Sequence, residues 1–252
     1  MRSLAIGIAL IFQGCTRDAP VSAPSPLPVD VPGSASTASA SASVPPSAVA
    51  SVEVVPEVPA KNLALHLVPL GDVDATTMSE TAEALRTHAG VGGATVVVTV
   101  ESAVPLPKSA QSSDKARYRA DRLLDVLAAL PLGDVTHAKV MGVTDVDIVA
   151  EKNGNPNWGI LGLGAIDGRC SVISTYRMRR KFEKGGGASD AVVRERLWKI
   201  SLHELGHTLG LQHCPTKGCI MEDGHGTVKT IDGETELCAP CATKFKDAVS
   251  AL

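Results

Sequence analysis

The sequence predicts an α/β fold: a mixed twisted sheet of about five strands, one long helix that carries a histidine cluster, and a short C-terminal subdomain tied together by cysteines. Three observations carry this. Short β-branched apolar runs alternate with stretches whose apolar residues recur at helical spacing. From Asp190 to Leu209 an uninterrupted helical pattern runs without proline, about 30 Å long at 1.5 Å per residue. Two close cysteine pairs follow it. The chain has 252 residues, 44% of them hydrophobic, enough for one sizeable core. Aromatic residues make up only 3%, so that core is built from Ala, Val, Leu and Ile. A net charge of −3 offers no basic surface and excludes nucleic acid as a partner.

The chain divides into three parts. Residues 1–15 open with Met1-Arg2, continue through the apolar run Leu4–Phe12 and end at Gln13-Gly14-Cys15. That run is too short to span a bilayer but suits an export signal. A small residue before a cysteine resembles a bacterial lipoprotein signal, which implies lipidation of Cys15 and an exported protein anchored to the periplasmic or surface side of a membrane; simple secretion is the alternative. Residues 16–60 are nearly all Ala, Pro, Ser and Val, with no periodic apolar face. Such a segment buries too little surface to offset its ordering entropy and reads as a tether. Residues 61–252 form the folded domain.

Within that domain Leu63–Val68 reads as a buried strand ended by Pro69 and Gly71. His66 inside it reads as a core or edge histidine with a local hydrogen bond. Thr76–His88 reads as a helix, with Met78, Ala82 and Leu85 on one face, and Ala94–Val100 as a second strand. Ser113-Asp114 is a plausible N-cap for a helix through Leu130 that buries Leu123, Leu124 and Leu127. Ala138–Val143 is a third strand running on through Thr144–Ile148, where Asp145 and Asp147 read as turn or capping residues. Asn153–Asn157 is a turn cluster, Trp158–Gly164 a single glycine-rich strand, and Cys170–Tyr176 the last strand. Cys170 reads as a small buried residue. Gly185–Gly187 is a hinge before the long helix, which Ser189 or Asp190 caps and Val193, Leu197, Ile200 and Leu205 fix to the sheet. A short helix, Ala242–Val249, closes the domain.

The long helix holds the candidate site. His203 and His207 are four residues apart, about 400° of rotation, so both imidazoles leave one face and can share a tetrahedral metal. Glu204, about 100° further round from His203, can act on a water without displacing a ligand. Gly210 allows the helix to stop with positive φ and the chain to return His213 as a third ligand. Three protein ligands leave one zinc position open, the pattern of a catalytic rather than a structural site. Directly after come Cys214, Cys219 and Met221, and after sixteen intervening residues Cys238-Ala239-Pro240-Cys241. Four thiolates on tight turns suit a second, all-cysteine zinc, which makes the C-terminal subdomain zinc-bound; a pair of disulfides is the alternative.

Joined in this order, the histidine motif, cysteine run, methionine and closing C-x-x-C resemble the archaemetzincins, a branch of the metzincin zinc peptidases. The resemblance spans residues 61–252. It implies two zinc ions per chain: a catalytic one on His203, His207 and His213, with Glu204 as general base and acid, and a structural one on Cys214, Cys219, Cys238 and Cys241. Met221 matches the methionine beneath the catalytic metal. The glycine-rich strand takes the place of the edge strand that pairs with an extended substrate, which makes Gly159, Ile160, Leu161, Gly162 and Leu163 the expected main-chain recognition site for a peptide or protein. Tyr176 is a candidate to stabilise the oxyanion. The expected protein is a monomeric zinc metallopeptidase. The rival readings are a lipid-anchored zinc-binding protein without hydrolytic activity, and a one-zinc peptidase with disulfides in place of the four-cysteine site.

Overall fold

A computed structural model describes residues 62–90, 95–132, 138–180 and 187–252. The signal, Cys15 and the whole of the tether lie outside the described residues. So do Gly185 and Gly186, while Gly187 pairs as an antiparallel bridge with Arg180.

The main sheet has five strands: β1 (Asn62–Pro69), β2 (Thr95–Val100), β4 (Lys139–Thr144), β7 (Gly162–Gly164) and β8 (Cys170–Ser174), in the order β2-β1-β4-β8-β7. The first four run parallel and β7 closes one edge antiparallel to β8. The sheet is therefore mixed, as expected. Both faces are buried, which is why β1, β4 and β8 read as nearly continuous apolar runs. Leu63, Leu65, Leu67, Met141 and Val143 face one core, shared with α1 (Ala75–His88) and α4 (Asp190–Thr208). Val68, Leu70, Val140 and Val172 face the other, against Leu123 and Leu127 of α2 (Ala120–Ala128). The residues alternate between the two cores with the period of two that strand geometry imposes. His66 donates to or accepts from Glu101 at 2.6 Å, the local partner expected for it.

A second, three-stranded sheet was not foreseen. It joins β3 (Tyr118–Arg119), β5 (Ile148–Lys152) and β6 (Asn155–Ile160). It explains two departures. Asp114 does accept backbone N–H groups, from Ala116 and Arg117 at 3.0 and 3.3 Å, but it closes a tight turn rather than a helix. The chain then runs extended through Tyr118 and Arg119, paired with Ile148 and Val149, before α2 begins at Ala120. The expected strand Trp158–Gly164 is divided. Ile160 pairs with Ile148 in the small sheet and Gly162 with Ile173 in the main one, and the buried Leu161 marks the crossing.

The last strand ends earlier than expected. Ser174 accepts the backbone N–H of Tyr176 at 3.2 Å and caps a single helical turn, α3 (Thr175–Met178). Tyr176 thus lies on α3 rather than in a strand, 44% exposed, with the Arg180 guanidinium 5.6 Å above its ring. Asp147 serves an ion pair with Arg177 at 2.6 and 3.0 Å. After α4 the chain forms α5 (Val228–Gly233) and α6 (Ala239–Ala251).

Candidate active site and cysteine cluster

Helix α4 lies buried over its last two turns, because residues 200–209 pack between sheet and C-terminal segment. His203 and His207 are 5% and 6% exposed. The His203 Nδ1–H donates to the Ile220 carbonyl at 2.6 Å, and the His207 Nδ1–H to the Leu211 carbonyl at 2.8 Å. A carbonyl only accepts, so each Nδ1 carries the proton and each Nε2 presents a lone pair. Burial lowers the two imidazoles to about 3 and about 4, which keeps them neutral and able to ligate.

The helix ends at Gly210, whose φ of +85° is the left-handed conformation glycine adopts without strain. The Leu211 N–H donates to the Gly206 carbonyl at 3.0 Å and the Gly210 N–H to the His207 carbonyl at 2.9 Å, a Schellman cap. The chain then returns His213, with ring centroids 5.4 Å from His203 and 4.9 Å from His207. One ring nitrogen from each histidine lies within 4.8 Å of the others. His213 alone is open to solvent, its side chain 48% exposed.

The donor set fits zinc. At Zn–N distances near 2.1 Å, two tetrahedral ligand nitrogens sit about 3.4 Å apart, and the His203 and His207 Nε2 atoms are 3.0 Å apart. With both protons on Nδ1, those two nitrogens have no hydrogen bond to share; a cation between them relieves the opposition of their lone pairs.

Glu204 is 5% exposed, and burial raises its carboxyl to about 8, opposed by the Gly164 backbone N–H. A nearby divalent cation draws such a carboxyl back toward ionisation. Strand β7 lies directly on it. A Cβ at Gly162 would sit 2.5 Å from Glu204 Oε1; one at Gly164 would sit 2.6 Å from the Glu204 carbonyl oxygen and 2.8 Å from His207 Cβ. The two glycines are two residues apart, so both turn one face toward α4. The sequence reading assigned this stretch to substrate and missed the packing role; the Gly-x-Gly spacing was its one signal. Gly159, in the other sheet, is covered instead: a Cβ there would run into the Arg177 guanidinium.

Met221 is fully buried against α4, where a Cβ at Gly206 would stand 2.7 Å from its Sδ. Its carbonyl accepts the Cys214 N–H at 2.7 Å and so ties the methionine turn to the cysteine cluster. Cys214, Cys219, Cys238 and Cys241 converge with their sulfurs within 4.8 Å of one another. The Cys214–Cys238 sulfur separation of 3.7 Å is far beyond a disulfide and close to the ~3.8 Å edge of a zinc tetrathiolate with Zn–S near 2.3 Å. All four are free thiols, as is the buried Cys170 in the opposite core. Hydrogen bonds from Thr216 lower the Cys214 thiol to about 7, while burial pushes Cys219 and Cys241 up. Cys238 is the N-cap residue of α6 and Cys241 lies in its first turn, so both sulfurs stand at one end of that helix.

Lys139 was not singled out from the sequence. Its ammonium donates to the Thr208 carbonyl at 2.8 Å and the Gly168 carbonyl at 2.9 Å, tying β4 to the end of α4.

Three converging neutral imidazoles with a buried carboxyl beside them, on this fold, define a zinc-dependent metallopeptidase. The solved archaemetzincin of Methanopyrus kandleri aligns with a TM-score of 0.61 at 25% identity, covering 75% of this chain and 96% of that one. That of Archaeoglobus fulgidus gives 0.57 at 25%, covering 72% and 99%. Archaemetzincins of Haloquadratum walsbyi and Halobacterium salinarum are 32% and 34% identical over 180 residues, 70% of this chain and 96% of each relative. The profile of peptidase family M54 matches residues 92–247. The chain belongs to peptidase family M54, the archaemetzincins, and is a zinc-dependent hydrolase.

Proposed function

We propose that the chain cleaves peptide bonds with Glu204 as general base and then general acid, and that it holds two zinc ions, one on His203, His207 and His213 and one on the four cysteines. Zinc at the histidines supplies Lewis-acid polarisation of the scissile carbonyl and a lowered pKa for water. Glu204 takes the proton of the attacking water and delivers it to the leaving amine. The observation that carries this reading is the burial of Glu204 between β7 and the two histidines of its own helix. The free edge of β7 suits an extended peptide added as a further strand, with Gly162 and Leu163 as its main-chain partners and Leu161 and Ile160 leading into it. The Cys15 signal and the tether support an exported, lipid-anchored protein acting on peptides or proteins outside the cytoplasm. Replacement of Glu204 by Ala is expected to leave zinc content unchanged and abolish turnover of a peptide library; undiminished hydrolysis would overturn the assignment of the base.

A further inference from the structure

Two of the three histidines have their outer nitrogen fixed by a main-chain carbonyl; the third, among the described residues, does not. His203 and His207 donate to Ile220 and Leu211, both inside the buried core. His213 stands on the loop after Gly210, half exposed, and its Nδ1 faces the carboxylate of Asp223, with Oδ2 at 4.0 Å. That gap exceeds an N–H···O hydrogen bond by about 1 Å, within reach of a small rotation of an exposed ring.

Asp223 is held in place from three sides. The His225 N–H donates to its Oδ1 at 2.8 Å, the Lys152 ammonium reaches Oδ1 and Oδ2 at 3.3 and 3.1 Å, and the His225 Nδ1 lies 3.2 Å from Oδ2. Its register against His213 is fixed as well. Cys214, next to His213, donates its N–H to the carbonyl of Met221, two residues before Asp223. The two segments are thus joined backbone to backbone beside the pair.

We infer that Asp223 is a positioning residue for the third zinc ligand: its carboxylate accepts the His213 Nδ1–H, fixes the tautomer that presents Nε2, and raises the basicity of that imidazole. Partners of this kind set ring orientation, and their loss weakens metal binding 10- to 100-fold (roughly). The inference rests on the reading of the three histidines as a zinc site. The rival role for Asp223 is structural, an anchor for Lys152 at the end of β5. The two roles separate by substitution, since Lys152 touches Asp223 but donates to none of the histidines among the described residues.

The test is zinc affinity of the full chain, measured by competition with a chelating dye, with unfolding midpoints taken on the same samples. Asp223→Ala is expected to weaken one of two zinc sites by about 10- to 100-fold, Asp223→Glu to recover part of that loss, and Lys152→Met to stay within about threefold of wild type. Wild-type affinity in Asp223→Ala overturns the inference, as does an equal loss in Lys152→Met. If Asp223→Ala does not fold, Asp223→Asn decides: weakened zinc binding at an unchanged midpoint supports the inference, and unchanged binding overturns it. Failure of His207→Ala to remove a zinc would instead overturn the histidine site itself.

Discussion

Replacement of Gly162 by Ala places a methyl group where Glu204 now stands. The new Cβ would lie 2.5 Å from Glu204 Oε1 and 2.6 Å from its Cγ, against the 3.4 Å at which ordinary contact begins, a shortfall of about 0.9 Å. The obstructing atoms belong to one side chain rather than to backbone, so relief comes by moving the carboxyl, not by parting β7 from α4. A displacement of about 1 Å in a reacting group costs on the order of 100-fold in rate. The expected outcome is a kcat about 100-fold below wild type on a peptide substrate, with zinc content unchanged and a small shift in the unfolding midpoint. Gly164→Ala is the internal comparison. Its Cβ would meet the Glu204 carbonyl oxygen and His207 Cβ, atoms that cannot swing aside, so it should destabilise the fold by about 1–3 kcal/mol. Wild-type kcat in Gly162→Ala would refute the reasoning, because it would mean that the carboxyl does not need the position the glycine leaves for it.

Three further outcomes follow from the packing around α4. Glu234 is buried, and neither carboxyl oxygen has a hydrogen-bond partner among the described residues; burial raises it to about 8, with Lys199 opposing. The folded state then keeps a proton that the unfolded chain releases near pH 4.5, so this contribution is full below that pH and is lost as pH rises through about 8. Glu234→Gln should therefore unfold at higher denaturant than wild type at pH 8, by on the order of 1–4 kcal/mol, and about equally at pH 5; equal curves at both would contradict the account. Lys139→Met removes two hydrogen bonds, one to the Thr208 carbonyl at the end of α4 and one to the Gly168 carbonyl between β7 and β8, and should cost about 1–3 kcal/mol, read as a lower thermal midpoint. Cys241→Ser should lower both zinc content and stability, while Cys170→Ser changes neither zinc count nor turnover.

How much of this was legible in the sequence depended on how local the cause was. The convergence of His203, His207 and His213 was, because residues four apart share one helix face and a glycine-led reversal at Gly210 returns His213 to it. The extent of α4 followed from its caps and period, within a residue of the observed Asp190–Thr208. The small sheet was not legible. Tyr118 and Arg119 adopt strand conformation because Ile148 and Val149 pair with them, and nothing around Asp114 announces that partner. Trp158–Gly164 is one apolar run in sequence, and its division at Leu161 arises from two different neighbours, β5 and β8. Tyr176 left its expected strand because the hydroxyl of Ser174 found the Tyr176 N–H, a cap that competes with continued pairing. The residues that support the site were hidden for the same reason: Lys139 lies 69 positions from Thr208, and Lys152 lies 71 from Asp223.

The most direct test of the account counts zinc per chain in the full protein and in two variants, His207→Ala and Cys241→Ser, purified without chelator. The account predicts two zinc ions for wild type and one for each variant, with peptide hydrolysis abolished in His207→Ala. A wild-type chain without zinc, or a zinc content that His207→Ala leaves unchanged, would contradict it.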